Sequence, residues 1–262
     1  MISKNLIKDI RQLELRKYRR REGLFVAEGP KVVGDLLHSG FEPQLLIATD
    51  EWEHPWKNGR KQAANGLITA DNRLLQIASN EELRRVSFLQ HPQQVLGVFS
   101  IPQQGEPPPP GNNRLSLALD GVQDPGNVGT IIRLADWFGI DTIYCSEETA
   151  DAWSPKVVQA TMGSIARVNL YYTDITKLMC QGRCAVMGTV LDGNNIYEEQ
   201  LPTGGMIVMG NEGNGISQPV RQLLTHRLLI PTFHQGPDRP ESLNVAIATA
   251  IVCSEFCRRQ PV

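Results

Sequence analysis

Apolar and polar positions alternate in short blocks along most of the chain, and the period of each block predicts its element. Leu6, Ile10 and Leu13 recur at helical spacing among basic residues. LFVAEG (24–29), QLLIAT (44–49), LITA (67–70) and VLGVFS (95–100) read as short strands. Helices are expected between them, over Val32–His38, Glu53–Ala64 and Asn72–Ala78. This is the pattern of a small α/β domain. The run IPQQGEPPPPGNN at 101–113 then interrupts it, because four consecutive prolines continue neither a helix nor a central strand. The expected organisation is a first domain over 1–100, a Pro-rich linker over 101–113 and a second domain over 114–262.

Beyond the linker the alternation becomes regular. LSLALDG, TIYCS, RVNLYYT, AVMGTVL, GMIVMG and RLLIPT are strand-like, and helical patterns start near Asn127, Pro155, Ile175, Gln218 and Leu243. Apolar strands alternating with amphipathic helices predict an α/β fold with a parallel sheet covered on both faces. Such sheets hold ligands at the carboxyl ends of their strands.

Composition sharpens this picture. Of 262 residues 41% are hydrophobic, enough for a real core, so a wholly disordered chain is excluded. No run approaches the ~18 apolar residues of a membrane span, and the opening residues lack the apolar stretch of a signal peptide. Five cysteines without a regular framework argue for free thiols in a reducing cytoplasm. The pairs Cys180/Cys184 and Cys253/Cys257 read as buried small hydrophobes rather than zinc ligands, so no metal is expected. The net charge of −2 conceals an asymmetry: residues 1–22 hold eight Lys/Arg against three acids, a balance of +5, whereas residues 106–262 hold eleven against sixteen. A polyanion contact near the N-terminus is one reading of that; a solvated helix face is the other.

Three strand ends carry unusual chemistry. The first, LALDGVQDPGNVGTIIRLADWFGI (117–140), sets Asn127 to cap a helix whose apolar stripe is Ile131, Leu134, Ala135 and Phe138. Arg133 follows Asn127 by less than two helical turns, so both could border one cleft; taken singly, a surface ion pair explains it as well. The second, GMIVMGNEGNGISQPV (205–220), runs a buried strand into a glycine loop that is neither a Walker loop nor G-x-G-x-x-G. Glu212 within it has little side-chain packing to explain it. In the third, LLIPTFHQGPDRPESLNVAIATAIVCSEFC (228–257), Ser242 is a candidate helix cap and Asn244 has no evident structural reason. Leu243, Ala246, Ile247, Ala250, Ile251 and Ser254 form a wide face suited to close packing.

Together and in this order, Asn127-Val-Gly129-Thr-Ile-Ile-Arg133, Gly210-Asn-Glu212-Gly213-Asn-Gly215, and Ile230-Pro231 with Ser242-Leu-Asn244-Val resemble the SpoU/TrmH branch of the SPOUT RNA methyltransferases. The resemblance covers residues ~115–258. The KYRRREGLFVAEG stretch is similar in outline to the substrate-binding domain attached to many members. The separation of the Ile-Pro and Ser-Leu-Asn elements by Thr232–Glu241 is longer than is common in the family.

The resemblance implies a C-terminal parallel-sheet domain with a deep trefoil knot, a topology that sequence physics would not suggest. It implies S-adenosylmethionine as cofactor, with Gly210, Ile230 and Leu243 around the adenine and Thr189 near the ribose. The implied reaction is methyl transfer to a ribose 2′-hydroxyl, in ribosomal RNA by preference; a tRNA 2′-O-methyltransferase and a non-catalytic RNA-binding protein are the alternatives. Family analogy gives the central role to Arg133. A guanidinium is too weak an acid to serve readily as a base, so it is expected to hold the phosphate and the developing alkoxide. Asn127, Glu212, Ser242 and Asn244 would orient it and the ribose, with Glu212 as a possible ion-pair partner. Arg16, Lys17, Arg19, Arg20 and Arg21 are the expected RNA contacts, with Tyr18 and Phe25 as candidate stacking rings, although Phe25 fits a core strand better. Family members are homodimers through the knot region, which would bury Trp137 and the terminal helix and let Arg133 complete the partner's site.

Overall fold

Ser3 opens the first helix, its Oγ accepting the Leu6 N–H at 3.2 Å. The computed structural model describes residues 2–53, 74–182, 184–234, 238 and 241–259. The strand expected at 67–70 and, but for Glu53, the helix expected over Glu53–Ala64 lie outside the described residues. The first unit, Met1–Gln103 with Asp151–Ala166, begins with α1 (Lys4–Gln12) and α2 (Arg16–Glu22). Gly23 ends α2 in the left-handed region, φ 65°. There follow β1 (Leu24–Glu28), α3 (Pro30–His38), β2 (Pro43–Ala48), β3 (Leu75–Ile77), α4 (Asn80–Val86) and β4 (Val95–Ser100). The strands lie in the order β1-β4-β2-β3. Among the described residues of this unit, only the β2–β3 pairing is parallel. Ile10, Leu13, Val26, Ile47, Leu83 and Leu96 meet in its core.

The structure corrects the helix expected over Asn72–Ala78. Its described part is strand β3, because Leu46 N–H donates to Leu74 O and Ala78 N–H to Ala48 O, at 2.6 and 2.8 Å. Pairing with a neighbouring strand overrides so short a pattern. The helix starts later, at a capping box the pattern had not flagged: Ser79 Oγ accepts from Glu82 N–H while Glu82 accepts from Ser79 N–H.

The second unit, Gln104–Ala150 with Arg167–Val262, contains β5 (Leu115–Asp120), α5 (Pro125–Trp137) and β6 (Thr142–Cys145). The next segment, Asp151–Ala166, belongs to the first unit although the sequence pattern places it in the second domain. It holds α6 (Pro155–Ala160) and a 3-10 turn at Ser164–Ala166. Trp153 explains the assignment: its ring lies 4.7 Å from that of Phe25, centroid to centroid. Phe25 is fully buried, so it is core rather than a stacking platform.

The second unit resumes with β7 (Asn169–Tyr172), α7 (Ile175–Gln181), β8 (Val186–Asn195), β9 (Gly205–Gly210), α8 (Gln218–Arg221), β10 (His226–Leu229) and α9 (Val245–Arg259). Its six strands run in the order β10-β8-β9-β5-β6-β7. Every pairing is parallel, as the alternation predicts. α9 packs against α5 and β9. The packed face of α9 differs from the expected one: Val245, Ala246, Thr249, Val252 and Phe256 are buried, whereas Leu243 and Ile247 are 50% and 54% exposed. Buried Glu255 fixes the far end of α9. Its carboxylate accepts from Arg258 and Arg259, and these bonds, Arg258 foremost, hold its pKa down to about 2. Arg259 in turn donates to Ile196 O and Glu199 O.

All five cysteines are free thiols. Burial pushes Cys145 and Cys253 up to about 12, as suits small core hydrophobes, but Cys180 is exposed rather than buried. Among the described residues, no helix is long and apolar enough to cross a membrane.

Candidate active site

The carboxyl ends of β5 and β9 lie side by side, with Asp120 paired to Gly210, at the point where the chain connections leave the sheet in opposite directions. Asn211 shapes the glycine loop. It exchanges backbone hydrogen bonds with Gly215, both 2.9 Å, its Oδ1 accepts the Gly213 and Asn214 N–H groups, and its Nδ2 donates to Gly121 O at 2.7 Å. Only glycine fits at 210, since a Cβ there would stand 2.3 Å from Gly215 C and Ile216 N. Buried Asp120 holds the loop's far end by accepting Ser217 N–H at 2.7 Å. The sequence reading passed over both Asp120 and Asn211. The signal was available: a carboxylate closing an otherwise apolar strand, and an asparagine at a strand-to-turn boundary.

The loop presents Glu212, whose Oε1 accepts from Asn127 Nδ2 at 2.9 Å while Oε2 accepts from Gln123 N–H at 3.4 Å. Asn127 does not cap α5, contrary to expectation. Asp124 does so, accepting Asn127 N–H at 2.8 Å, because Pro125 takes the first helical position and Asn127 therefore falls in the first turn. This frees the Asn127 side chain to reach outward. Asn244, not Ser242, caps α9: its Oδ1 accepts Ala246 and Ile247 N–H at 2.9 and 3.3 Å. With that oxygen occupied, Asn244 Nδ2 donates to Asn127 Oδ1 at 3.0 Å. Asn127 then has only its own Nδ2 left to offer Glu212. The cap of the last helix thus sets, through two amides, the orientation of a carboxylate on the glycine loop. The structural excuse that Asn244 lacked in the sequence is this cap.

Asn127, Glu212 and Asn244 are therefore brought together. Thr189 is half-buried on the neighbouring strand, its Oγ1 3.8 Å from Met209 Sδ, one residue before Gly210. Ile230 is half-buried just past β10, and Leu243 is half-exposed beside Asn244. Ser242 is exposed and makes no hydrogen bond among the described residues. Arg133 departs most from expectation. It does not pair with Glu212, whose carboxylate is turned to Asn127. Six residues along α5, Arg133 sits ~9 Å up the axis and ~120° around it from Asn127. It shares an exposed face with Trp137, which is 82% exposed, and has no hydrogen-bond or ion-pair partner among the described residues.

The basic helix is corrected at one position. Arg19 is buried, donating to Asp151 Oδ2 at 2.5 and 3.0 Å and to Leu13 O and Glu14 O at 2.7 and 2.6 Å. All its nitrogens serve the fold of the first unit, leaving none for a phosphate. Arg16 is half-buried, and Lys17, Arg20 and Arg21 are exposed. Lys17 and Arg21 lie over the Tyr18 ring at 5.0 and 4.8 Å.

Comparison with known proteins decides the family. The SpoU rRNA methylase family model matches residues 114–254, more than half of the chain. The chain belongs to the SpoU rRNA methylase family. The model of an MRM3-like substrate-binding domain matches residues 4–97. Among SpoU relatives, the 23S rRNA (guanosine(2553)-2′-O)-methyltransferase RlmP of Bacillus subtilis is 30% identical, over 94% of this chain and 93% of its own. A putative RNA methyltransferase of the TrmH family from Porphyromonas gingivalis is 41% identical with a TM-score of 0.85, covering 99% of this chain and 100% of its own. An AdoMet-bound rRNA methyltransferase from Sinorhizobium meliloti is 29% identical with a TM-score of 0.84, covering 100% and 97%.

The glycine loop has the chemistry that cofactor needs: backbone crowds the Cβ position of Gly210, so a ligand there meets main-chain groups rather than a side chain. Residues 210–215 contain no lysine or arginine. Such a set suits a neutral adenosine rather than a polyphosphate.

Proposed function

We propose that this protein transfers a methyl group from S-adenosylmethionine to a ribose 2′-hydroxyl of ribosomal RNA. The bound cofactor supplies an electrophilic methyl on a sulfonium. The chain supplies the rest: a backbone-lined cradle at Gly210 with Thr189, Ile230 and Leu243 around it, and a polar cluster that positions the ribose. A 2′-hydroxyl is a poor nucleophile near neutral pH, so its proton must leave as charge develops on oxygen. The Asn127–Glu212–Asn244 cluster offers an oriented carboxylate to accept or relay that proton, with Ser242 nearby in sequence to contact the nucleotide. Arg133 holds the adjacent phosphate and the forming alkoxide.

The observation that carries this reading is the state of Arg133. A guanidinium beside an exposed tryptophan, with no partner among the described residues, is available to a polyanion and to a second copy of the chain. The proposal therefore includes a homodimer that covers Trp137 and the exposed residues of α9, with Arg133 of one copy facing the polar cluster of the other. It also includes the trefoil knot in the C-terminal segment. The first unit holds the RNA, with Arg16, Lys17, Arg20 and Arg21 on phosphates. Five free thiols suit the cytoplasm as the compartment of the reaction.

The test is transfer of labelled methyl from S-adenosylmethionine to unmodified ribosomal RNA, followed by mapping of blocked 2′-hydroxyls. The expected product is one 2′-O-methylated nucleotide. Label on a base, or none on RNA with the cofactor bound, would contradict the proposal.

A further inference from the structure

The first unit contains a groove of about 410 Å³ that the reaction does not use. Its floor is apolar: Leu24, Leu45 and Val98, from three adjacent strands, continue the core cluster to the surface. Its rim is polar. α1 contributes Asp9 and Gln12, three residues apart and so on one helix face, and α2 contributes Tyr18. Glu22 also lines it, but Arg21 pairs with that carboxylate at 2.6 Å. The Asp9 carboxylate, the Gln12 side-chain amide and the Tyr18 hydroxyl have no hydrogen-bond partner among the described residues. An apolar slot of this volume with a few convergent polar groups has the size and make-up of a small-ligand site. Phosphate-binding charge stands beside it in exposed Lys8, Lys17 and Arg20.

We propose that this groove takes one unpaired guanine of the bound RNA. The proposal rests on the RNA substrate of the preceding section. Sequence-specific recognition of RNA works on splayed-out bases, placed against aromatic or apolar surface and bonded at their Watson–Crick edge. The free groups select the base. A carboxylate accepts only, so Asp9 matches the two adjacent donors of guanine, N1–H and the exocyclic amine. The Gln12 amide supplies the donor that O6 needs. Adenine and uracil each set an acceptor next to their single donor group and would face Asp9 with repulsion. Cytosine offers one amine with the N3 acceptor beside it.

The experiment is a titration of the full chain, methyl-labelled at Leu and Val, with the four nucleoside monophosphates and inosine monophosphate. Guanosine monophosphate is expected to shift the Leu24, Leu45 and Val98 methyls saturably. Inosine monophosphate, lacking the exocyclic amine, should bind about tenfold more weakly. Asp9→Asn is expected to remove the preference for guanine over inosine. Tyr18→Ala should raise the KM for RNA about tenfold with kcat and cofactor affinity unchanged, and Tyr18→Phe should restore most of it. No shift of these methyls with any nucleotide would overturn the site, and a preference for another base would overturn the guanine assignment. Either failure is distinguishable from failure of the enzymatic reading, because methyl transfer to ribosomal RNA is measured on the same preparations.

Discussion

Helices α2 and α5 show how differently two arginines can be used, and how little their sequence surroundings foretell it. On α2, Arg19 sits in a run of basic residues that reads as a polyanion patch, yet its guanidinium is buried against Asp151 and two carbonyls. On α5, Arg133 stands alone in an apolar stretch, which reads as a surface ion pair, yet it is exposed and unpartnered among the described residues. The lesson is that charge density along a sequence reports neither the burial nor the role of any one arginine. A guanidinium can act on a ligand only if the fold leaves its donors unspent.

This contrast can be broken by substitution, and the largest effect is expected at α5. Arg133→Ala should lower kcat by about a hundredfold or more while the chain keeps its unfolding midpoint and its calorimetric affinity for S-adenosylmethionine. Loss of cofactor affinity would mean that Arg133 shapes the cradle instead. Arg19→Ala should do the converse. It leaves Asp151, 13% exposed, without its guanidinium and should cost about 2 kcal/mol in urea unfolding, less than the penalty of a fully buried unpaired charge.

Smaller effects sharpen the same distinction. Asn244→Ala removes both the α9 cap and the bond to Asn127, so stability should fall by about 1 kcal/mol together with kcat. Asn244→Asp keeps an acceptor for the cap but can no longer donate to Asn127, so it should restore stability and not kcat. Arg20→Ala should reduce the slope of log affinity for RNA against log salt by about one. The smallest effect concerns α9. Glu255 has a folded pKa of about 2 against an ordinary 4.5. A carboxyl depressed in this way contributes stability above about pH 4.5, lost as pH falls toward 2. Glu255→Gln should flatten the acid limb of a stability-against-pH curve over that window.

The sequence made the parallel sheet legible because each of its strands is a short apolar run, and such runs alternate with helical periods long enough to be distinct. It was less informative where pairing decides: Leu75–Ile77 is too short for its period to mean anything, and its neighbours in space make it a strand. The three site segments were legible through their glycines and polar residues at strand ends. Their internal wiring was not. Which of Ser242 and Asn244 caps α9, and which of Asp124 and Asn127 caps α5, depends on a shift of two or three residues in where each helix begins. That shift moved Asn127 from a cap to the centre of the polar cluster. Nor could the buried fate of Arg19 be read, because its partner Asp151 lies 132 residues away.

The account turns on Arg133 serving the polar cluster of a second copy, and complementation between two inactive variants tests this most directly. Arg133→Ala retains a whole cofactor cradle; Glu212→Ala retains Arg133. Each alone should be inactive. Unfolded, mixed and refolded together, they should regain methyl transfer, since one site in a mixed pair then holds both Glu212 and the partner's guanidinium. A refolded mixture, shown to contain mixed pairs, that stays as inactive as its parents would contradict the account.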